Sequence, residues 1–328
     1  MFMLLCSLFS WDVMKLIDDF LKNYKSLSDI RTCRFYLRYL NHYMGIVTED
    51  YNINDHASCI RAIKNTVTKY AQTEPLQNGL LVELDSACGA NVLPKDKFDW
   101  INESERAAFW LWGYICLSDD LVIWNGFNWG INDGLNWYNR LGLSKSPSNH
   151  KERMKLIVLF FDGVIVQAGE GLKYQLMERL KNKWKVKYNN PLPVKWMPDD
   201  EDTVSWVWDN FKNRGDDTVY LSQSGMSHFV TWFMPFNHAE RLLAVRAALD
   251  LWDNDSDSKK LFLLNLNKAW NQKKLRQSRT DKKALNTYIK NETKMRLDIL
   301  ATHYNMRISD VLEKIINETY RNQIKSDK

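Results

Sequence analysis

The hydrophobic positions of this chain recur mostly at the helical period. After Asn149, the residues Met154, Ile157, Val158 and Phe161 fall at i, i+3, i+4 and i+7, and Gly163 supplies a stop. The next helix aligns Leu172, Leu176, Leu180 and Trp184. Another begins near Asp199 after Pro198, places Val204, Val207, Trp208 and Phe211 on one stripe, and ends at Gly215. Residues 12–24 and 29–44 also read as helices. So do 237–252 and 259 to about 277, the latter with Phe262, Leu266 and Ala269 on a face widened by Leu263 and Trp270. Three starts carry Asn with Glu three residues on, a variant of the capping box: Asn102 with Glu105, Asn149 with Glu152, and Asn237 with Glu240.

Two stretches break this period. Trp184, Val186 and Tyr188 alternate with Lys183, Lys185 and Lys187, and residues 194–196 follow a proline-rich turn, which predicts a small β-hairpin. In residues 284–290, Leu285, Thr287 and Ile289 share one face of a short strand and Asn286, Tyr288 and Lys290 the other. Between these, residues 124–137 are rich in Asn, Gly and Trp and read as a structured loop before a short helix. They lack the spaced carboxylates and closing Glu of a calcium loop.

Two short helices follow the second strand. The first puts Leu297, Leu300, Ala301 and Tyr304 on one stripe and breaks at Asn305, which tolerates a left-handed backbone. The second, starting near Ser309, presents Ile308, Val311, Leu312, Ile315, Ile316 and Thr319 on a wide apolar face. A strand and two helices of this size are too short to bury such faces alone, so an obligate homodimer is expected. The expected fold is mainly α. It comprises a large helical domain with a small β-hairpin over residues 1–235, a helical basic connector over 236–281, and a βαα module over 282–328.

Charge sharpens this division. The 328 residues carry a mild net charge of +5, yet residues 256–328 hold 17 Lys and Arg against 8 Asp and Glu, and the other 255 hold 28 against 32. Over 259–296 the count is 12 against 2. The excess points to a polyanionic partner for the C-terminal end alone.

This strand, helix, turn, helix order, with its basic approach and the run Leu297, Asp298, Ile299, Leu300, Ala301 ahead of Ser309, Asp310, Val311, Leu312, resembles the ribbon-helix-helix DNA-binding family of Arc and MetJ. The likeness covers residues 283 to about 322. The basic helix before it gives a weaker, MatP-like arrangement over 237–322. The resemblance implies a homodimer on double-stranded DNA. Asn286, Tyr288 and either Ala284 or Lys290 would face the bases, Asn being suited to adenine. It implies phosphate held at the second helix start by Ile308, Ser309 and Asp310, with Arg276, Arg279, Lys282, Lys283 and Arg307 adding phosphate contacts. Leu285, Ile289, Leu297, Leu300, Val311, Leu312, Ile315 and Ile316 would form the dimer core. The chain departs from the family at Arg307, Asn305 and Tyr288, where a small cap, a glycine and a basic residue are common.

The rest of the chain carries little recognisable chemistry. There is no Walker A loop, no GxGxxG after a strand, no HExxH and no GxSxG elbow. The six histidines are scattered, and neither a metal nor a cofactor is expected. Residues 222–228 gather hydroxyls near His228, and Glu103, Glu105, Asp119, Asp120 and Glu170 are carboxylates, but a polar loop, caps and surface charges account for them. Five cysteines without a CxxC pair fit reduced thiols. Residues 1–11 are apolar but lack the basic start and cleavage site of a signal peptide, and no apolar run is long enough for a membrane span. A cytoplasmic, nucleoid-associated protein is expected. The 14 Trp residues read mainly as core, Trp110, Trp112, Trp206, Trp208 and Trp232 among them. The alternative is a base-stacking surface of Trp184 and Trp196 beside Lys183, Lys185, Lys187 and Lys195. Functionally, a transcriptional regulator or DNA-organising factor is expected. The alternative is an N-terminal effector enzyme or interaction domain of a mobile-element or defence system, targeted or autoregulated by the DNA-binding tail.

Overall fold

The computed structural model of the chain describes residues 25–127, 130–131, 134–166, 171–189, 194, 196–213, 220–222, 225–226, 233–252, 256–278 and 283–323. It divides into two units, residues 1–269 and 270–328. The first unit contains α1 (Ile30–Arg38), α2 (His56–Tyr70), α3 (Glu74–Asn91), α4 (Glu105–Leu117), α5 (His150–Gly163), α6 (Leu172–Asn189), α7 (Glu201–Asn213) and α8 (His238–Leu251). Helix α9 (Ser256–Gln277) starts in the first unit and ends in the second, which continues with α10 (Asn291–Tyr304) and α11 (Ile308–Gln323).

The first unit has two apolar clusters. Phe35, Tyr36 and Leu37 of α1, Ile60 and Ile63 of α2, and Leu81 and Leu84 of α3 form one. The larger gathers around α4, in which residues 107–116 are all buried. A helix apolar on every side belongs in the middle of a core, and α5 and α8 pack against it. Gly113 lets α8 approach closely: a Cβ there would lie 2.7 Å from Leu251 Cδ1 and 3.0 Å from Phe233 Cζ. The expected stripes Val204, Val207, Trp208, Phe211 and Leu176, Leu180, Trp184 are buried in this cluster, as are Leu263 and Leu266 of α9.

The tryptophans Trp110, Trp112, Trp184 and Trp208 are buried. Trp112 Nε1 donates to Tyr138 Oη at 2.9 Å, and Trp110 lies 5.5 Å from Trp184, ring centre to ring centre. This removes Trp184 from any base-stacking surface. Trp232 lies outside the described residues, as do residues 1–24.

The unit also encloses charge. Lys173 is fully buried, and its Nζ donates to the carbonyls of Asn91 (2.7 Å) and Phe161 (2.5 Å) at the C-terminal ends of α3 and α5. Such ends present carbonyls without helical partners and carry partial negative charge. Burial pushes the Lys173 ammonium down to about 7; Asp162 opposes this, and Arg38 and Arg31 reinforce it. Arg153 of α5 is likewise enclosed, paired with Glu240 of α8 and seated 4.2 Å from the Phe109 ring centre. Burial raises the Glu240 carboxyl above its ordinary value, with Arg153 opposing. Cys33, Cys59, Cys88 and Cys116 are buried and unbridged. Burial pushes the Cys33 thiol up to about 12 and that of Cys88 to about 11, well away from thiolate chemistry.

A mainly α architecture holds, but both predicted β elements are corrected. Residues 183–189, expected in a hairpin, are the last two turns of α6. The Leu172, Leu176, Leu180, Trp184 period runs straight into them, and Lys is a good helix former, so the helix propagates through the alternating stretch. Residues 283–290 form no strand and have no ladder partner among the described residues, so the βαα module is not seen. A strand is defined by its ladder, and one isolated segment cannot make one. Among the described residues the strands are Tyr220–Ser222 and Gly225–Met226, an antiparallel pair joining Tyr220 with Met226. The capping pattern holds at Asn149 and Asn237, whose side chains accept from the amides of Glu152 and Glu240 at 2.9 Å. The α4 cap is Ser104, not Asn102, because its Oγ accepts from the Ala107 amide at 3.2 Å. Among the described residues no helix is long and apolar enough to cross a membrane.

Candidate nucleic-acid interface

The second unit begins with the basic end of α9, where Lys273 and Lys274 lie over the Trp270 ring at 5.2 and 5.9 Å from its centre. Their methylene stems cover the indole while the ammonium groups stay near the surface. Arg276, also expected on phosphate, is exposed at the helix end. Arg279 and Lys282 lie outside the described residues.

Residues 283–290 are exposed throughout, so Lys283, Ala284, Asn286, Tyr288 and Lys290 are all presented to solvent. Tyr288 is fully exposed. The expected inner residues Leu285 and Ile289 are 71% and 44% exposed, which leaves both faces of the segment uncovered in a single copy.

Helices α10 and α11 meet through a tight turn. Asn305 adopts the left-handed backbone (φ 49°), its amide and that of Met306 donating to the carbonyls of Thr302 (3.2 Å) and Ala301 (3.0 Å). These bonds satisfy the last carbonyls of α10 and place the break where the apolar pattern stops. Lys314 sits 4.0 Å from the Tyr304 ring centre and closes the open side of the turn.

Of the expected dimer core, Leu297 and Val311 are buried between the two helices, and Leu300 and Leu312 are half-buried. Ile315 and Ile316 are exposed, and they are joined by residues the periodicity did not single out: Met295, Ile299 and Tyr320. The signal for these was present at i, i+4 in Met295 and Ile299, one stripe away from Leu297, Leu300 and Ala301. Both helices thus show apolar surface on more than one side.

The start of α11 was expected to hold a phosphate. The Asp310 amide already donates to the Arg307 carbonyl at 2.9 Å, whereas the amides of Ile308 and Ser309 have no acceptor among the described residues. Arg307 is exposed beside them. The Asp310 carboxylate, held by Ser309 Oγ at 3.2 Å, sits at the same helix end and competes there with an anion.

Of the carboxylates of the first unit that could suggest catalysis, Asp120 is held structurally. Asp120 pairs with Arg140 at 2.7 Å and accepts from the Trp137 amide at 2.9 Å. Of residues 222–228, only 222, 225 and 226 are described. No protein-family model matches the chain, and no curated protein or solved structure matches it.

Proposed function

We propose that this protein is a homodimer that binds double-stranded DNA through its second unit, as a transcriptional regulator or DNA-organising factor. One observation carries the reading: in residues 283–323 only Leu297 and Val311 are buried, while Leu285, Ile299, Ile315 and Ile316 are exposed in a cationic segment. Full burial of each such side chain is worth about 1.5–3 kcal/mol. A second copy supplies the surface that covers them, and pairing brings two sets of cations to one side. Lys273, Lys274, Arg276, Lys283, Lys290 and Arg307 then meet phosphates, and Asn286 and Tyr288 meet base edges. The likeness of residues 297–316 to the two-helix part of the ribbon-helix-helix family supports the same assignment.

The test is duplex binding measured against salt, with mass measured by light scattering. An Asn286→Ala, Tyr288→Ala double variant should remain dimeric and lose preference for its site by about ten- to a hundredfold, the size expected for one or two base contacts. A chain ending at Ser278 that shifts the same duplex with the same salt slope refutes the assignment. Sequencing DNA that co-purifies with the intact chain separates a repressor, with a few sharp sites, from an organising factor with many.

A further inference from the structure

The first unit carries a slight acidic excess as a whole, yet α6 is strongly basic, the most so of the helices lying wholly within it. Helix α6 contains Lys173, Arg179, Lys181, Lys183, Lys185 and Lys187 against the single acid Glu178. Lys173 is enclosed in the core, and Glu178 is engaged by Lys97 at 3.7 Å, so it cancels a charge from outside the helix. Lys183 lies 4.6 Å from the Tyr114 ring centre and has a packing role. Lys181 and Lys185 have neither use: they stand one turn apart on one flank of α6, Lys185 exposed and Lys181 half-buried, and no carboxylate among the described residues is within ion-pair distance of either.

Like charges one turn apart destabilise a helix. A helix C-terminus favours cations and offsets part of that cost within its last turn, but Lys181 and Lys185 both lie before the last turn of α6, where this effect has fallen away. The two charges therefore serve neither the core nor the helix end. Tyr188, exposed by 61%, extends the same side and adds a hydroxyl donor.

From this we infer that this flank of α6, centred on Lys181 and Lys185, is a second DNA contact on the first unit, which holds the phosphate backbone of duplex DNA without reading sequence. Two point charges on flexible stems, with no buried polar pocket around them, suit a charged backbone and not a small anion. The inference rests on the proposed function for the identity of the polyanion. It also gives the first unit a role of its own, since charge at two places on the chain holds DNA while base-reading stays with the second unit.

The experiment compares three full-length proteins on one duplex by fluorescence anisotropy across a salt series: the unchanged chain, Lys181→Glu with Lys185→Glu, and Asn286→Ala with Tyr288→Ala. Circular dichroism melts confirm that each is folded. In the proposed homodimer the lysine variant loses two phosphate contacts per copy, four in all, which should lower the salt slope by about 3–4 units, at roughly 0.9 per contact, and leave the preference for the specific over a scrambled duplex unchanged. An unchanged slope in the lysine variant overturns the inference, and if the other variant has lost its preference the proposed function stands. A lowered slope beside an unchanged preference in the Asn286, Tyr288 variant keeps the α6 contact and removes the second unit's role. Absence of binding by the unchanged chain overturns both.

Discussion

The first unit encloses charges, whereas the second leaves apolar groups outside. Arg153 and Lys173 are among the most deeply buried side chains of the first unit, each provided with a carboxylate or carbonyls. In the second, Ile299 is 68% and Ile316 56% exposed, and the ion pairs Lys294 with Asp298 and Arg296 with Glu292 lie at the surface. A large core has room to organise polar groups inside it. Two short helices have too little interior to do so, and several of their apolar side chains stay exposed. The two units therefore differ in how fully each encloses its own side chains.

The contrast is broken most directly at the enclosed pair. Glu240→Ala leaves the Arg153 charge buried without its carboxylate and should cost about 3–5 kcal/mol in urea unfolding of the first unit. A loss under about 1 kcal/mol would mean that Arg153 reaches water. Next comes pH. Because burial holds Lys173 near 7 in the folded chain and it returns to its ordinary 10.5 when unfolded, the unfolded state binds more protons between those values. This contribution to stability is therefore lowest below pH 7 and rises with pH, by roughly 2–3 kcal/mol between pH 6 and 9. Lys173→Met should flatten that part of the profile in thermal melts, and an identical profile in the variant would sink the assignment. The smallest effect belongs to the second unit: Glu292→Ala removes an exposed i, i+4 pair and should shift its stability by less than about 0.5 kcal/mol. In the proposed dimer, dilution should matter more there than any single surface charge, since it separates the two copies.

What the sequence made legible was periodic and local. The stripes of α5, α6 and α7, the Asn149 and Asn237 caps and the break at Asn305 are all set within a few neighbouring residues, where pattern and turn chemistry act. The α6 end was misread because Trp184 fits both periods, and the alternating stretch is too short to outweigh the helix already propagating from Leu172. The Asn102 cap failed because Ser104, closer to the apolar run, made the same bond. The buried charges had no local signal at all: Lys173 meets Asn91 across 82 positions and Arg153 meets Glu240 across 87, and charged residues are surface residues by default. The alternation of residues 284–290 was visible too, but alternation alone makes no strand, and the described residues supply this segment with no ladder partner.

The all-apolar surface of α4 has a temporal side. Its closest helical neighbour, α8, begins only at His238, so everything from Ser118 to Asn237 must be synthesised before that neighbour exists. At about 5–20 residues per second, Phe109, Trp110, Leu111 and Trp112 spend on the order of ten seconds without that cover on the nascent chain. The first unit should consequently fold late and as a whole, and its biosynthesis should depend on protection of this one segment by chaperones more than its final stability would suggest.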